Sequence, residues 1–286
     1  MQYSAYKNLV NCDLHVLYEH VDNLTGEFNT LKTFKTGINY DELNDVNNKY
    51  FTWLKIDYIY DIWRRESRVN ATGKTKDYIS SYIEELIDIE ELTNGFEAEH
   101  VYNPRRMAIK TRNLNTVIDK YIQNNTNYQF NIEMVKDVHS IIMADLNTHG
   151  GEFRILNAKP SGFNMIYLPP SKIQKRLTEL LDIISEKIHE CNNDKHAVAI
   201  AAEFYTEFLH IHPFSNGNGR TARILTNYLL KKFFVLPFKL IVTDANKHME
   251  ILNECQKSLH IRPKKIVDDF IKGLLEHYDK LYYLTC

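Results

Sequence analysis

The sequence predicts a mainly α-helical protein with one short β-hairpin and a helical extension at its N-terminal end. Three observations predict it. Apolar residues recur three and four apart over long stretches, as in Met134, Val138, Ile141, Ile142 and Leu146. That spacing lines one face of a helix. Residues 153–168 break the pattern, with alternation at Ile166-Tyr167-Leu168 and punctuation by Pro160, Gly162 and Pro169-Pro170, which reads as paired strands. Finally, 44% apolar residues over 286 positions are enough for a substantial core.

Residues 1–70 read as helix, loop, helix. Leu9, Val10, Leu14 and Leu17 fall at helical spacing, and residues 37–48 are a mostly polar break. Tyr50 to Val69 carries Tyr50, Phe51, Trp53, Tyr58, Tyr60 and Trp63, spread too widely round a helix for burial on one side only. Core packing, rather than an aromatic ligand box, is the expected role. Gly73 marks a boundary between the extension (1–75) and the main domain (76–286). Residues 77–92 are predicted as one helix, with Ser80 and Glu84 one turn apart on a shared face.

Asn131 opens the next clear helix, which Gly150-Gly151 ends. The hairpin is expected over Arg154–Asn157 and Phe163–Leu168. Ser171 with Gln174 has the form of a capping box, ahead of Ile173, Leu177, Leu180, Leu181, Ile184 and Ile188 at helical spacing. Asp194 is expected to cap a helix burying Val198, Ala201, Ala202, Tyr205, Phe208 and Leu209. Asp244 caps another that runs to Ser258, and Pro263 starts the last, through Tyr283.

Composition narrows the function. With 35 basic and 37 acidic residues the net charge is −2, so neither nucleic acid nor a membrane surface is an expected partner. No run approaches the roughly 18 apolar residues of a membrane span. Lys7, Asp13, His15, Glu19 and His20 interrupt the first twenty residues, unlike a signal peptide. A cytoplasmic setting is expected, either in the producing cell or in the cytosol of a host. Cys12, Cys191, Cys255 and Cys286 are scattered, without disulfide or metal-ligand spacing.

The chemistry concentrates in His212 to Arg223, which reads His-Pro-Phe-Ser-Asn-Gly-Asn-Gly-Arg-Thr-Ala-Arg. Two glycines let backbone N–H groups approach a ligand closely. A turn of this kind opening a helix is an anion site, because the first N–H groups lack partners and the dipole is positive there. Arg220 and Arg223, three apart, add planar forks that suit phosphate. A polyphosphate with a histidine beside it is the ligand these residues describe. Phe214 reads as a core anchor for the loop, and His210 as a residue that packs or bonds locally.

These twelve residues resemble the signature of the Fic family, His-x-Phe-x-(Asp/Glu)-Gly-Asn-Gly-Arg-x-x-Arg. His212, Phe214, Gly217, Asn218, Gly219, Arg220 and Arg223 match, while Asn216 stands in place of the acid. Ser80 and Glu84 resemble the family's inhibitory helix, (Ser/Thr)-x-x-x-Glu-(Gly/Asn), with Glu85 departing from the small residue.

The resemblance implies a Fic-type helical domain that moves AMP from ATP to a Ser, Thr or Tyr hydroxyl of a target protein. His212 would be the general base. The backbone of Gly217, Asn218 and Gly219, with the Asn218 amide, would hold the α-phosphate, Arg220 the β-phosphate and Arg223 the γ-phosphate. Glu84, supported by Ser80, would inhibit by taking Arg223. The hairpin would be a flap that holds the target by strand addition, with Phe163, Ile166 and Tyr167 against it. Met249, Leu252 and Gln256 would wall an adenine pocket. Mg²⁺ or Mn²⁺ is the implied cofactor, held weakly because Asn216 is no carboxylate. Removal of AMP and a homodimer are compatible with the resemblance. Another donor (UMP, phosphocholine or phosphate) and a non-catalytic nucleotide- or protein-binding module are the alternatives left open by Asn216.

Overall fold

The computed structural model describes residues 14–38, 49–66, 72–124, 127–146, 149–159, 167–235, 237–257 and 263–285. Among them the α-helices are α1 (Leu14–Asn23), α2 (Thr25–Gly37), α3 (Lys49–Glu66), α4 (Gly73–Ile83), α5 (Ile89–Ala98), α6 (Pro104–Ile118), α7 (Ile132–Met143), α8 (Ile173–Glu190), α9 (Asp194–Ile211), α10 (Asn218–Leu230), α11 (Ala245–Lys257) and α12 (Lys264–Thr285). The mainly α expectation holds.

Helix α9 is the axis of the molecule. Every residue from Ala197 to Ile211 is buried, as expected of a helix that is apolar on nearly all sides. Helices α1, α8, α10, α11 and α12 all pack against it. It is capped by Asn193, whose side chain accepts from the N–H groups of Lys195 and His196. Asp194, expected as the cap, is instead the first helical residue and pairs with Lys35 at 2.5 Å. Buried polar groups inside α9 are matched: Glu207 pairs with Arg176 of α8 at 3.0 Å, and His210 bonds the Leu252 carbonyl of α11 at 3.0 Å.

Three further expectations need correction. The stretch 77–92 is two elements, the end of α4 and the start of α5. The chain reverses at Glu85, in the left-handed region at φ +58°. Leu86 N–H donates to the Ser81 carbonyl (2.8 Å) and Glu85 N–H to that of Tyr82 (3.1 Å), the paired bonds of a Schellman ending. Asp88 and Glu91 then form a full capping box for α5, a signal present in the sequence. Helix α4 itself is capped by Thr72, whose side chain accepts from Thr75 N–H. Ser171 makes no cap either: Pro170–Lys172 forms a 3₁₀ turn that runs directly into α8, as the fixed φ of consecutive prolines favours.

The third correction concerns the hairpin. No strand occurs among the described residues, and Phe163 and Ile166 lie outside them. Residues 153–159 and 167–169 belong to no helix or strand, and their backbone reaches the end of α9. Arg154 N–H donates to the Pro213 carbonyl (2.9 Å) and Leu168 N–H to that of His210 (3.4 Å). Both arms are thus fastened to the loop that carries the motif.

Candidate active site

The loop between α9 and α10 brings the motif together. Helix α9 ends on His212, which adopts a left-handed conformation (φ +50°, ψ 61°). Pro213 follows and cannot continue the helix. Phe214 is fully buried and stacks on His139 of α7, with ring centroids 3.6 Å apart. Gly217 (φ +77°) caps α10, and a Cβ there would lie 2.9 Å from Met143 Sδ. Glycine is needed on both counts. Because Gly217 has no side chain to cap with, the first N–H groups of α10 stay open toward the loop. His212 and Ser215 to Arg220 line a pocket of about 210 Å³ there.

His212 Nδ1 is buried without a hydrogen-bond partner, and the residue lines this pocket. Burial lowers the imidazole's pKa to about 4; the Leu209 backbone opposes this a little, although its geometry falls short of a hydrogen bond, and the Arg154 charge adds to it. The ring is therefore neutral at physiological pH, as a general base must be. Tyr167 covers one face, stacked at 3.8 Å and 9°.

Two residues that sequence reading passed over hold this loop. His139 Nδ1 accepts from Gly151 N–H (2.9 Å), which leaves Nε2–H to donate to the Asn216 carbonyl (3.0 Å). Burial also drops its pKa to about 4, so the neutral tautomer is fixed. Arg154 is buried and donates to the backbone carbonyls of His212, Ile211, Leu156 and Leu168. Signals existed for both: a histidine among Val135, Val138 and Ile142, and a charge between Phe153 and Ile155-Leu156.

Other expected site residues are placed as follows. The Asn218 amide bonds the backbone of Phe214 at both ends, 3.0 and 2.7 Å. It shapes the loop here and does not point at an anion. Arg220 is buried and leans on the end of α7, 3.5 Å from the Ile142 carbonyl. Arg223 folds near Gly219 and bears electrostatically on Tyr58 of α3. Glu84 is exposed and accepts from Ser80 Oγ at 3.3 Å. It forms no ion pair with Arg223 among the described residues. A larger cavity, about 790 Å³, lies between α3 and α4, and Ser80 and Glu84 line it, without any motif residue. Met249 and Leu252 pack on the core and do not line the loop pocket; Leu252 is fixed through His210. Gln256 lies in α11, and its side chain is outside the described residues.

The site does not fit a metal held by the chain. Asn216 Oδ1 accepts from Gly217 N–H at 2.7 Å, so this position offers a cation only a neutral oxygen already shared with the turn. No group of three His, Cys, Asp or Glu side chains converges among the described residues. Mg²⁺ prefers carboxylate oxygens.

Residues 129–230, which hold this loop and the helices on either side of it, match the model of the Fic/DOC family. The chain is 28% identical over 161 residues to the protein adenylyltransferase Fic of Aedes aegypti, covering 54% of this chain and 30% of that protein. It is 32% identical over 94 residues to the protein adenylyltransferase Fic of Nematostella vectensis, covering 33% and 21%. A 114-residue match, 30% identical, joins it to a protein of Ostreid herpesvirus 1 (isolate France) named ribonucleoside-diphosphate reductase small chain, over 34% of this chain and 19% of that one. So short a share carries none of that name across. The chain spans at most 30% of the length of these three relatives.

Among solved structures, Fic-1 (aa134–508) from C. elegans superposes with a TM-score of 0.66 at 13% identity, over 97% of this chain and 74% of that one. A Fic domain containing signaling protein from Bacteroides thetaiotaomicron VPI-5482 gives 0.58 at 15%, over 92% and 96%. These two show the fold.

Proposed function

We propose that the protein is an adenylyltransferase, moving AMP from ATP to a hydroxyl of a target protein. The observation that carries this is a neutral, half-buried imidazole that lines one pocket with the open N-terminus of α10. Backbone N–H groups at Gly217 to Gly219 supply fixed donors for an α-phosphate, where charge rearranges in the transition state. Nε2 takes the proton of the attacking Ser, Thr or Tyr hydroxyl. The hydroxyl oxygen bonds the α-phosphorus as the bond to the β-phosphate bridging oxygen breaks, and Arg220 and Arg223 serve the outer phosphates, which leave as pyrophosphate. A binding module would need the N–H cradle but no base beside it. A divalent cation accompanying ATP would be coordinated by phosphate oxygens and water, since Asn216 offers little.

Autoinhibition through Glu84 is the finer reading. Its support is the Ser80–Glu84 bond at the last turn of α4 and the exposure of the carboxylate. Inhibition then requires the α4–α5 corner to carry Glu84 onto Arg223, displacing the γ-phosphate.

The test is labelled nucleotide. ATP labelled at the α-phosphate should mark the protein itself or a partner in cell extract, whereas ATP labelled at the γ-phosphate should not. Transfer of the γ-label alone would assign phosphate transfer instead.

A further inference from the structure

We propose that Arg154 is a positioning residue for His212, holding the left-handed turn that aims the imidazole and seating Tyr167 on its face. This rests on the reading of His212 as the base. The turn is the starting point. A left-handed backbone is unfavourable for any residue with a Cβ, and such strain persists only where the surroundings over-determine it. Here the surroundings are one buried guanidinium. Arg154 Nε donates to the His212 carbonyl at 2.7 Å, and Nη2 to the Ile211 carbonyl at 3.3 Å, so the fork brackets the peptide at the bend. The Arg154 N–H reaches one residue further, to the Pro213 carbonyl at 2.9 Å.

The same guanidinium donates to the Leu168 carbonyl. Leu168 N–H is bound in turn to the His210 carbonyl. Residue 168 is therefore pinned on both sides, and Tyr167 beside it lies parallel to the imidazole at 3.8 Å. Charged donors to carbonyls make stronger bonds than neutral ones, and the planar fork cannot be copied by an ammonium. Three strands of chain thus meet at one side chain: the end of α9, the arm at 153–156 and the arm at 167–169.

The arrangement has two consequences for the base. It fixes where Nε2 points, and it keeps water from the ring through Tyr167. The charged and titratable groups facing the imidazole are Arg154 and Tyr167 from the arms and Arg220 from the loop pocket. Glu207 and His210 lie a turn up α9, paired with each other at 3.8 Å.

The experiment follows His212 itself as well as the reaction. The full chain with ¹³C-labelled histidine is titrated by NMR, with the His212 signal assigned by its loss in His212→Ala. Arg154→Gln should move the His212 midpoint upward, from near 4 toward the ordinary histidine value of about 6.5. It should lower kcat for transfer about 10²-fold, the usual cost of misplacing a reacting group by roughly 1 Å, with KM for ATP little changed. Arg154→Lys should recover part of kcat. Tyr167→Leu should raise the midpoint too, and Tyr167→Phe should bring it back. If Arg154→Gln does not fold, the Tyr167 pair decides alone. An unmoved midpoint, or kcat and KM falling in step with melting temperature, overturns the positioning role. Because the titration needs no turnover, a protein that transfers nothing still tests this inference, and the two readings fail separately.

Discussion

At His212 the loss of water, more than any neighbouring charge, sets the protonation state. Burial is the largest cause of its low pKa of about 4, and Arg154 contributes a smaller push in the same direction. The rate should therefore stay flat down to about pH 5 and fall only as pH approaches 4, whereas an exposed histidine would lose activity near 6.5. A pH–rate profile of label transfer checks this; an acid limb centred near 6.5 would mean that the ring is solvated in the working enzyme. At this scale the sequence was legible where chemistry imposes a pattern. His212, Gly217 and Phe214 occupy the places their residue types require. It was less legible for side-chain commitment: the amides of Asn216 and Asn218 look available in the sequence, yet both are spent on the loop's own backbone. Nothing in a linear string separates a ligand amide from one that closes a turn.

At the scale of elements, helices with a one-sided or all-round apolar pattern were legible, and their junctions were not. Asn131 does cap α7, with its side chain accepting from Met134 N–H at 3.0 Å. The corner at Glu85 is closed by local bonds to Ser81 and Tyr82, whereas the arms at 153–159 and 167–169 depend on contacts made far away in the chain. Arg154 is the instructive case, because alternation around it looks like a strand while its bonds run 57 and 58 residues onward to α9. The corner also explains a local pattern. A left-handed residue after Glu84 suits glycine or asparagine, and Glu85 fills it at a cost of about 1 kcal/mol. Glu85→Gly should raise stability by up to that amount in chemical denaturation. Paired with it, Glu84→Gly should raise self-labelling if the carboxylate inhibits, while Glu85→Gly should change labelling much less. Loss of stability in Glu85→Gly would show that the corner is not strained.

At the scale of the molecule, three desolvated histidines link stability to acid. His139, His212 and His277 each have a pKa lowered to about 4, with burial the first cause. Between pH 6.5 and 4 the unfolded chain binds protons at these rings and the native chain does not. Stability is therefore complete above 6.5 and declines as pH falls through that window, by ~1.4 kcal/mol per pH unit for each ring. Melting temperatures recorded from pH 7 to 4.5 should fall steadily, and His277→Gln, at a ring bonded to the Val235 carbonyl far from the motif, should flatten the slope. The whole assembly serves one arrangement, a neutral base set over an open helix N-terminus by elements drawn from α7, α9, α10 and the two arms. The most direct test is His212→Ala with ATP labelled at the α-phosphate, read beside ATP binding by calorimetry. The account predicts a loss of labelling of roughly 10²–10⁴-fold with ATP affinity nearly unchanged. Labelling equal to that of the parent protein would contradict it.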